Sequence, residues 1–303
     1  MSAIAEAGSI PLPTPGRARP ASALLTLARR RASLTSKTPR QIAVPLLGPA
    51  LLAVVVAPAL KVATGGLHSH IDYTSFVGVG AVGLVIPLSC IFAGLSVLVD
   101  RHSGAQRELL AAPVPRGFLV LGNLIVAVGL AALQVAVLIG LSAIRGGSFH
   151  VTGTGVAWFL AAGLLFTVFM YGVAETLASR VRSQEDYVAA TPAVAILPFF
   201  FAGALFPIGA MPGVLTAIAK AFPLTHALAL MRYGLIDPNG QGLHDIWGMH
   251  SVTAEAWLSL AVIALWAVAL TAISIRMFSR SAVSRDARPR QSARAWIAVS
   301  ATV

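Results

Sequence analysis

Five charged residues fall within one seventeen-residue stretch: Asp100, Arg101, Arg107, Glu108 and Arg116. Acids and bases interleaved in this way suit ion pairing across an interface, and Gly104 in their midst permits close backbone approach. The pattern G-x-x-x-x-G-K-[ST] is absent, so the chain has no visible means of binding ATP; H-E-x-x-H is absent too, and no Ser, His and Asp set suggests a nucleophile. His68-x-His70 with Asp72 could bind a metal or sense pH, but a lone H-x-H in a polar loop is more simply loop polarity, and no metal site is assigned. Cys90 stands alone in an apolar run and permits no internal disulfide. Glu175 is the main ionisable residue inside an apolar run. Two readings of it stand: a carboxylate that reaches headgroup water or pairs with Arg180, or one that serves gating or substrate access.

These residues are set in a chain that otherwise avoids charge. Of 303 residues, 57% are hydrophobic and 11% charged, with a mean hydropathy of +0.81; soluble domains carry roughly 25% charged residues. Runs of about 20 apolar residues, the length that crosses a ~30 Å hydrocarbon core, recur along the chain. Strand-like alternation, which a membrane barrel would need, does not occur. The expectation is an all-α integral membrane protein with six spans, at about 41–60, 75–99, 117–144, 156–178, 188–206 and 256–275. Pro45, Pro49 and Pro58 should kink the first and Pro192 and Pro198 the fifth.

Between and around the spans the composition changes. Residues 1–20 are Pro-rich and expected to be disordered. Residues 21–40 read as a basic amphipathic helix on the membrane surface, with Leu24, Leu27, Ala28, Arg31 and Leu34 near helical spacing and Arg29 and Arg30 beside them. Residues 207–235 hold Pro207, Pro212, Pro223, Lys220, His226 and Arg232, and no charge-free stretch among them is long enough to span. Two short re-entrant or interfacial helices fit better. The polar piece 236–255 contains the turn Asp237-Pro238-Asn239-Gly240. The spans together form a membrane domain over 41–275, and 276–303 is a basic tail.

Charge gives an orientation. With six spans both termini share a side, and that side carries 18 of the 22 Lys and Arg; the other carries Lys61, Arg145, Lys220 and Arg232. The positive-inside rule puts both termini and residues 100–116 in the cytoplasm of a cell whose plasma or inner membrane the chain crosses several times. A net charge of +11 placed in this way reflects topology and contact with membrane lipids rather than nucleic acid.

Two stretches resemble the ABC-2 family of ATP-binding-cassette permeases, in particular its bacterial drug-exporter branch typified by daunorubicin-resistance permeases. One is Asp100-Arg101-x-x-Gly104-x-x-x-x-Leu109-Leu110-x-x-Pro113-Val114-x-Arg116. The other runs Leu205-Phe206-Pro207-Ile208-x-x-Met211-Pro212-x-x-Leu215-x-x-Ile218-Ala219-Lys220-x-x-Pro223-Leu224-Thr225. The chain departs from the family where His102 replaces a common glutamate, Ala105 a threonine, and His226 a frequent aromatic. Arg107-Glu108 reverses the family's usual Glu-Arg order.

The resemblance implies a permease subunit that is not itself an enzyme. A separate ATP-binding-cassette ATPase subunit would bind ATP and Mg, this chain holding no cofactor. A second copy, or a related permease, would complete the path. Motor coupling would fall to Asp100, Arg101, Gly104, Arg107, Glu108 and Arg116, with Arg29 and Arg30. A path for hydrophobic small molecules, drug or lipid-like, would run along Gly78, Gly80, Gly83, Gly94, Phe199, Phe200, Phe201 and Gly203, although plain helix packing explains these residues equally well. Glu175, Pro207, Pro212 and His226 are candidate gate residues. Drug efflux with antibiotic resistance is the leading role and export of polysaccharide or glycolipid the alternative. A motor-independent secondary transporter would call for inverted repeats or several buried charges, and neither is evident.

Overall fold

The computed structural model describes residues 20–63, 72–111 and 115–286. The expected disorder at the N terminus, the His68-x-His70 pair, Pro113-Val114 and the tail after residue 286 lie outside the described residues, as do the side chains of Arg107 and Arg116.

Helix α1 (Pro20–Ser36) stops short of Pro39, because the residue before a proline is driven out of the helical region. The chain restarts as α2 (Pro39–Leu51), passes through a π-helical turn at Leu52–Val56, and continues as α3 (Ala57–Ala63). The widened turn sits between Pro49 and Pro58, which lack the amide hydrogens of a regular ladder. Together these pieces form a first span, Pro39–Val62. Asp72 caps the next helix, accepting from Ser75 N at 3.1 Å, and pairs with Lys61 Nζ at 2.5 Å. Burial alone would raise its carboxyl, but Lys61 and Ser75 hold it below the usual carboxylate range. Its contribution to stability is therefore present above that range and lost as pH falls through the lowered value.

Helix α4 (Tyr73–His102) is about 45 Å long at 1.5 Å per residue and is the centre of the molecule. Of its most apolar window 72% is buried, against 22–33% for the other four long spans. Glycines make that possible. A Cβ at Gly78 would strike Ser142, one at Gly80 the Ala204 carbonyl, and one at Gly94 the Tyr187 hydroxyl. Small residues that let helices approach are the usual glue in lipid, where no hydrophobic drive separates one apolar helix from its neighbours. Polar glue joins them in mid-membrane: Gln134 accepts from Ser89 Oγ and donates to Ile42 O at 2.7 Å, linking α4 and α2 through the third span.

After α4 come α5 (Ala105–Ala111), α6 (Arg116–Ile144) and α7 (Gly153–Arg180). The fifth span is shorter and more broken than expected. It consists of α8 (Gln184–Ala189), a π-helical turn at Pro192–Ile196, and α9 (Leu197–Phe201). It nevertheless crosses the bundle. It begins beside the end where Arg101 contacts Ala178 and Val181, and its exit at Leu205 accepts a hydrogen bond from Tyr73 at the opposite end of α4. A short 3₁₀ turn (Ile208–Ala210) leads to α10 (Gly213–Ala221) and α11 (Pro223–Leu235), which meet at 85°. They start and finish at one end of the bundle: Leu205 O accepts from Tyr73, and Leu235 O from His150 N. This is the re-entrant pair expected over 207–235. Leu224 and Leu228 reach Gly83, ten residues or about 15 Å along α4 from its start. The polar piece that follows contains a helix not foreseen, α12 (Gln241–Trp247), and the last helix, α13 (Val252–Asp286), runs on past the expected end of the sixth span.

Helices α7 and α11 cross at Gly155 and Gly234, where a Cβ on either would meet the other's carbonyl. Gly155→Val is expected to cost about 1–3 kcal/mol by overpacking. Gly129→Ala, whose Cβ would enter open space, should stabilise by about 0.5–1 kcal/mol. Thermal unfolding of the detergent-solubilised protein, followed by size exclusion, checks both.

Candidate functional site

The charged stretch is not a loop. Helix α4 continues through Asp100, Arg101 and His102, and the chain turns at Gly104 with φ +84° before α5 begins. A Cβ at Gly104 would meet nothing, so the positive φ, not crowding, calls for glycine there.

Asp100 and Arg101 face into the bundle rather than outward. Asp100 Oδ2 accepts from Arg31 Nη2 at 2.6 Å, with Arg30 at 3.8 Å, and Arg31 Nε donates to Asn123 Oδ1 at 2.8 Å. Arg31, 8% exposed, thus joins α1 to α4 and α6. Its neighbours on α1, Leu27 and Ala28, rest on Gly122. Two cavities of about 20 Å³ flank this guanidinium, each with room for a water (about 10–15 Å³ suffices).

Arg101 points the other way. Its Nη1 donates to Ala178 O at 2.9 Å and its Nη2 to Val181 O at 2.6 Å. Those carbonyls close the C-terminal end of α7, where the last turn has no intrahelical donors and the helix dipole favours a cation. His102 Nε2 donates to Arg182 O at 3.1 Å. Tyr187, fully buried in α8, reaches Ile91 O at 3.0 Å and Ala174 O at 3.4 Å over the notch left by Gly94. Four spans are therefore tied at this end by side chains of α1, α4 and α8. Arg29, His102, Ser103 and Glu108 remain exposed on its surface, with Arg30 half-buried.

Glu175 is buried, at 1% exposure, and accepts from Tyr171 Oη at 3.0 Å. The pairing with Arg180 does not form. Five residues on, a side chain lies about 140° round the helix, and Arg180 is exposed. Glu175 Oε1 has no hydrogen-bond partner among the described residues.

The α4 glycines named for a path each face a neighbouring segment closely: Gly78 faces Ser142, Gly80 the Ala204 carbonyl, Gly83 Leu224 and Leu228, and Gly94 Tyr187. Phe199 is buried, while Phe200 next to it is 55% exposed on the outside of the fifth span. Gly203 forms the turn after α9, with φ +75°. Pro207 and Pro212 are exposed and open the 3₁₀ turn and α10. His226 is buried, donating through Nε2 to Lys220 O at 3.0 Å and accepting from Ser259 Oγ at 3.2 Å, while Trp247 Nε1 donates to the same hydroxyl at 2.8 Å. At this far end burial raises the Asp245 carboxyl, and the Gly209 backbone, His244 and Lys220 offset it only in part. Among the described residues no three His, Cys, Asp or Glu side chains come together as metal ligands.

Sequence reasoning passed over Arg31, Asn123 and Tyr187 as site residues. Arg31 had a signal: it shares the Leu24, Leu27 and Ala28 stripe, which turns inward. If Arg31 and Asp100 act as a pair, Arg31→Met should lower stability by about 3 kcal/mol by leaving the acid without its cation, and Arg31→Met with Asp100→Leu should recover most of that loss. A double-mutant cycle on thermal unfolding in detergent checks it.

The geometry is thus a bundle of spans with a charged, laced rim at one end and a re-entrant helix pair at the other. Comparison with curated proteins gives no match. Comparison with protein families matches residues 22–236 to the ABC-2 type transporter, a segment that begins in α1, takes in the rim and ends where α11 returns to the far end. The chain belongs to the ABC-2 type transporter family, as a membrane-spanning permease subunit of an ATP-binding-cassette transporter.

Proposed function

We propose that this permease exports hydrophobic small molecules, drug or lipid-like, from the cytoplasm, driven by an ATPase subunit docked against the rim formed by α1, the end of α4 and α5. Mg and ATP sit in that partner. A second copy of the chain, or a related permease, completes the path. The distribution of Lys and Arg, 18 on the rim side and four on the other, supports placing both termini in the cytoplasm of the cell membrane.

The observation that carries the reading is the division of labour within the rim. Asp100 is bonded to Arg31, Arg31 reaches on to Asn123 of α6, and Arg101 is bonded to the end of α7, whereas Arg29, Glu108 and His102 are exposed. A force applied to the exposed set is passed to several spans through the inward set, which a coupling element must do. Asp100 and Arg101 are positioning residues in this scheme, and the partner contacts lie with Arg29, Arg30, Glu108 and His102.

Apolar cargo is favoured because the faces of the spans are apolar or small and the ionisable groups within them, Glu175 and Arg232, are buried against protein.

Glu108→Arg together with Arg29→Glu reverses two rim charges. Each exposed pair is worth about 0.2–1 kcal/mol, so the double reversal should weaken binding of the ATPase subunit roughly tenfold without changing the thermal stability of the permease. Titrating reconstituted permease with the co-expressed ATPase, and following cargo-stimulated ATP hydrolysis over a panel of apolar and saccharide compounds, tests both halves. Unchanged affinity removes the rim assignment; stimulation by saccharides alone removes the apolar cargo.

A further inference from the structure

The far end of the fifth span is held in an unusual way. After α9 the chain leaves the helix at Ala202, and the next three carbonyls, Gly203, Ala204 and Leu205, accept from no backbone amide among the described residues. Side chains take all three. Arg232 Nη1 donates to Gly203 O at 2.8 Å, Arg232 Nη2 to Ala204 O at 2.8 Å, and Tyr73 Oη to Leu205 O at 2.9 Å. The same guanidinium lies 3.5 Å from the centre of the Phe76 ring and reaches Phe76 O at 3.3 Å, and Phe76 stacks on Tyr73 at 6.2 Å. Gly80 provides the notch: a Cβ there would collide with Ala204 O. Three separate elements, α4, α11 and the end of the fifth span, meet at this one side chain.

We infer that Arg232 and Tyr73 form a clamp that holds the end of the fifth span shut against α4, and that releasing it opens the far-side gate. The inference deepens the transport reading above and rests on it for the meaning of the gate. Arg232 is 7% exposed, and none of its hydrogen-bond partners is a carboxylate. A buried ion pair would fix the joint, because separating it strands two charges. Neutral carbonyls can be exchanged for water one at a time as the gap opens, and the cation keeps its favourable place over the ring. The segment that must move has no backbone amide donating to its three carbonyls among the described residues, and sparse backbone bonding is the usual property of parts that open locally. The re-entrant pair bears on the same joint through Arg232, so displacing α11 and opening the span are one event.

The test uses purified full-length protein in lipid nanodiscs, where both membrane faces are open to reagent. Ala204→Cys places a thiol at a site that is fully buried behind the clamp, and native Cys90, fully buried in mid-α4, serves as the internal reference. With the clamp intact, a hydrophilic maleimide should label residue 204 slowly. Adding Arg232→Gln should speed that labelling at least tenfold and leave Cys90 unchanged; adding Tyr73→Phe should speed it about threefold. Should Arg232→Gln fail to fold, Tyr73→Phe decides on the same criterion. Unaltered labelling at 204, or parallel acceleration at Cys90, overturns the clamp. The readout needs neither ATPase nor cargo, so a failure here is separate from a failure of the export assignment.

Discussion

Hydrocarbon offers a backbone carbonyl nothing to bond with, and wherever a membrane helix stops or bends another part of the protein must supply the donor. This chain meets that demand with side chains from other helices. Arg101 closes α7 at Ala178 and Val181, and Arg232 and Tyr73 close the fifth span at Gly203 to Leu205. Each satisfaction is also a tether. The bonds that make the breaks tolerable are the bonds that decide which helices move together.

Most of these tethers involve α4. Its rim end holds Asp100 and Arg101, its middle Ser89, and its far end Tyr73, Phe76 and Gly80. A helix of about 45 Å, uninterrupted except for Pro87, connects the rim to the far gate without an intervening joint. The first and fifth spans, by contrast, each carry a π-helical turn flanked by proline, and both of those turns lie against α4. A stiff centre between two softened neighbours is an arrangement in which displacement at one end has a direct route to the other. Gly78, Gly80, Gly83 and Gly94 are what allow the neighbours to lie so close to that centre.

The architecture was legible in the sequence because lipid imposes length and charge patterns with little freedom. Spans one to four and the bent helix pair follow from apolar run length and the placement of prolines, and the N-terminal helix from its helical spacing of apolar residues. The fifth span was readable in position but not in form: Pro192 and Pro198 signalled a break, while the shift of its start back to Gln184 depends on Ser183 capping Asp186 N at 3.1 Å, a local bond that hydropathy does not register. Helix α12 was hidden in the same way, since a seven-residue helix between two left-handed glycines, Gly240 and Gly248, has no periodicity to detect. The rim was legible as a set of charges and not as a set of partners. Asp100 and Arg101 are adjacent, yet one bonds forward to α1 and the other to α7, and Arg31, which completes the lattice, differs from Arg29 and Arg30 only in the face of α1 it occupies. Glu175 illustrates the same limit. Its distance from Arg180 along the chain suggested a pair, and its direction round the helix gave it Tyr171.

Three buried or half-buried arginines show why this residue, rather than lysine, is used at such points. Arg101 and Arg232 each place two donors of one planar group on two carbonyls at the end of a helix, Ala178 and Val181 for the first and Gly203 and Ala204 for the second, a bidentate geometry that an ammonium cannot reproduce with a single nitrogen. Arg31 instead divides its group between a carboxylate and an amide. The difference in partners separates the roles. Where the cation meets Asp100, the charges neutralise each other, and parting them in a medium of low polarity would be opposed by the full attraction between them; that junction suits a permanent seam between α1 and the spans. Where the hydrogen-bond partners of the cation are carbonyls and a ring lies beneath it, as at Arg232, which Asp237 also attracts, each hydrogen bond can be replaced by water or by another acceptor with little change in net charge. Both ends of the bundle carry an ion pair, Arg31 with Asp100 at the rim and Lys61 with Asp72 at the far end, but the cation that ties the end of the fifth span to α4 has neutral hydrogen-bond partners only.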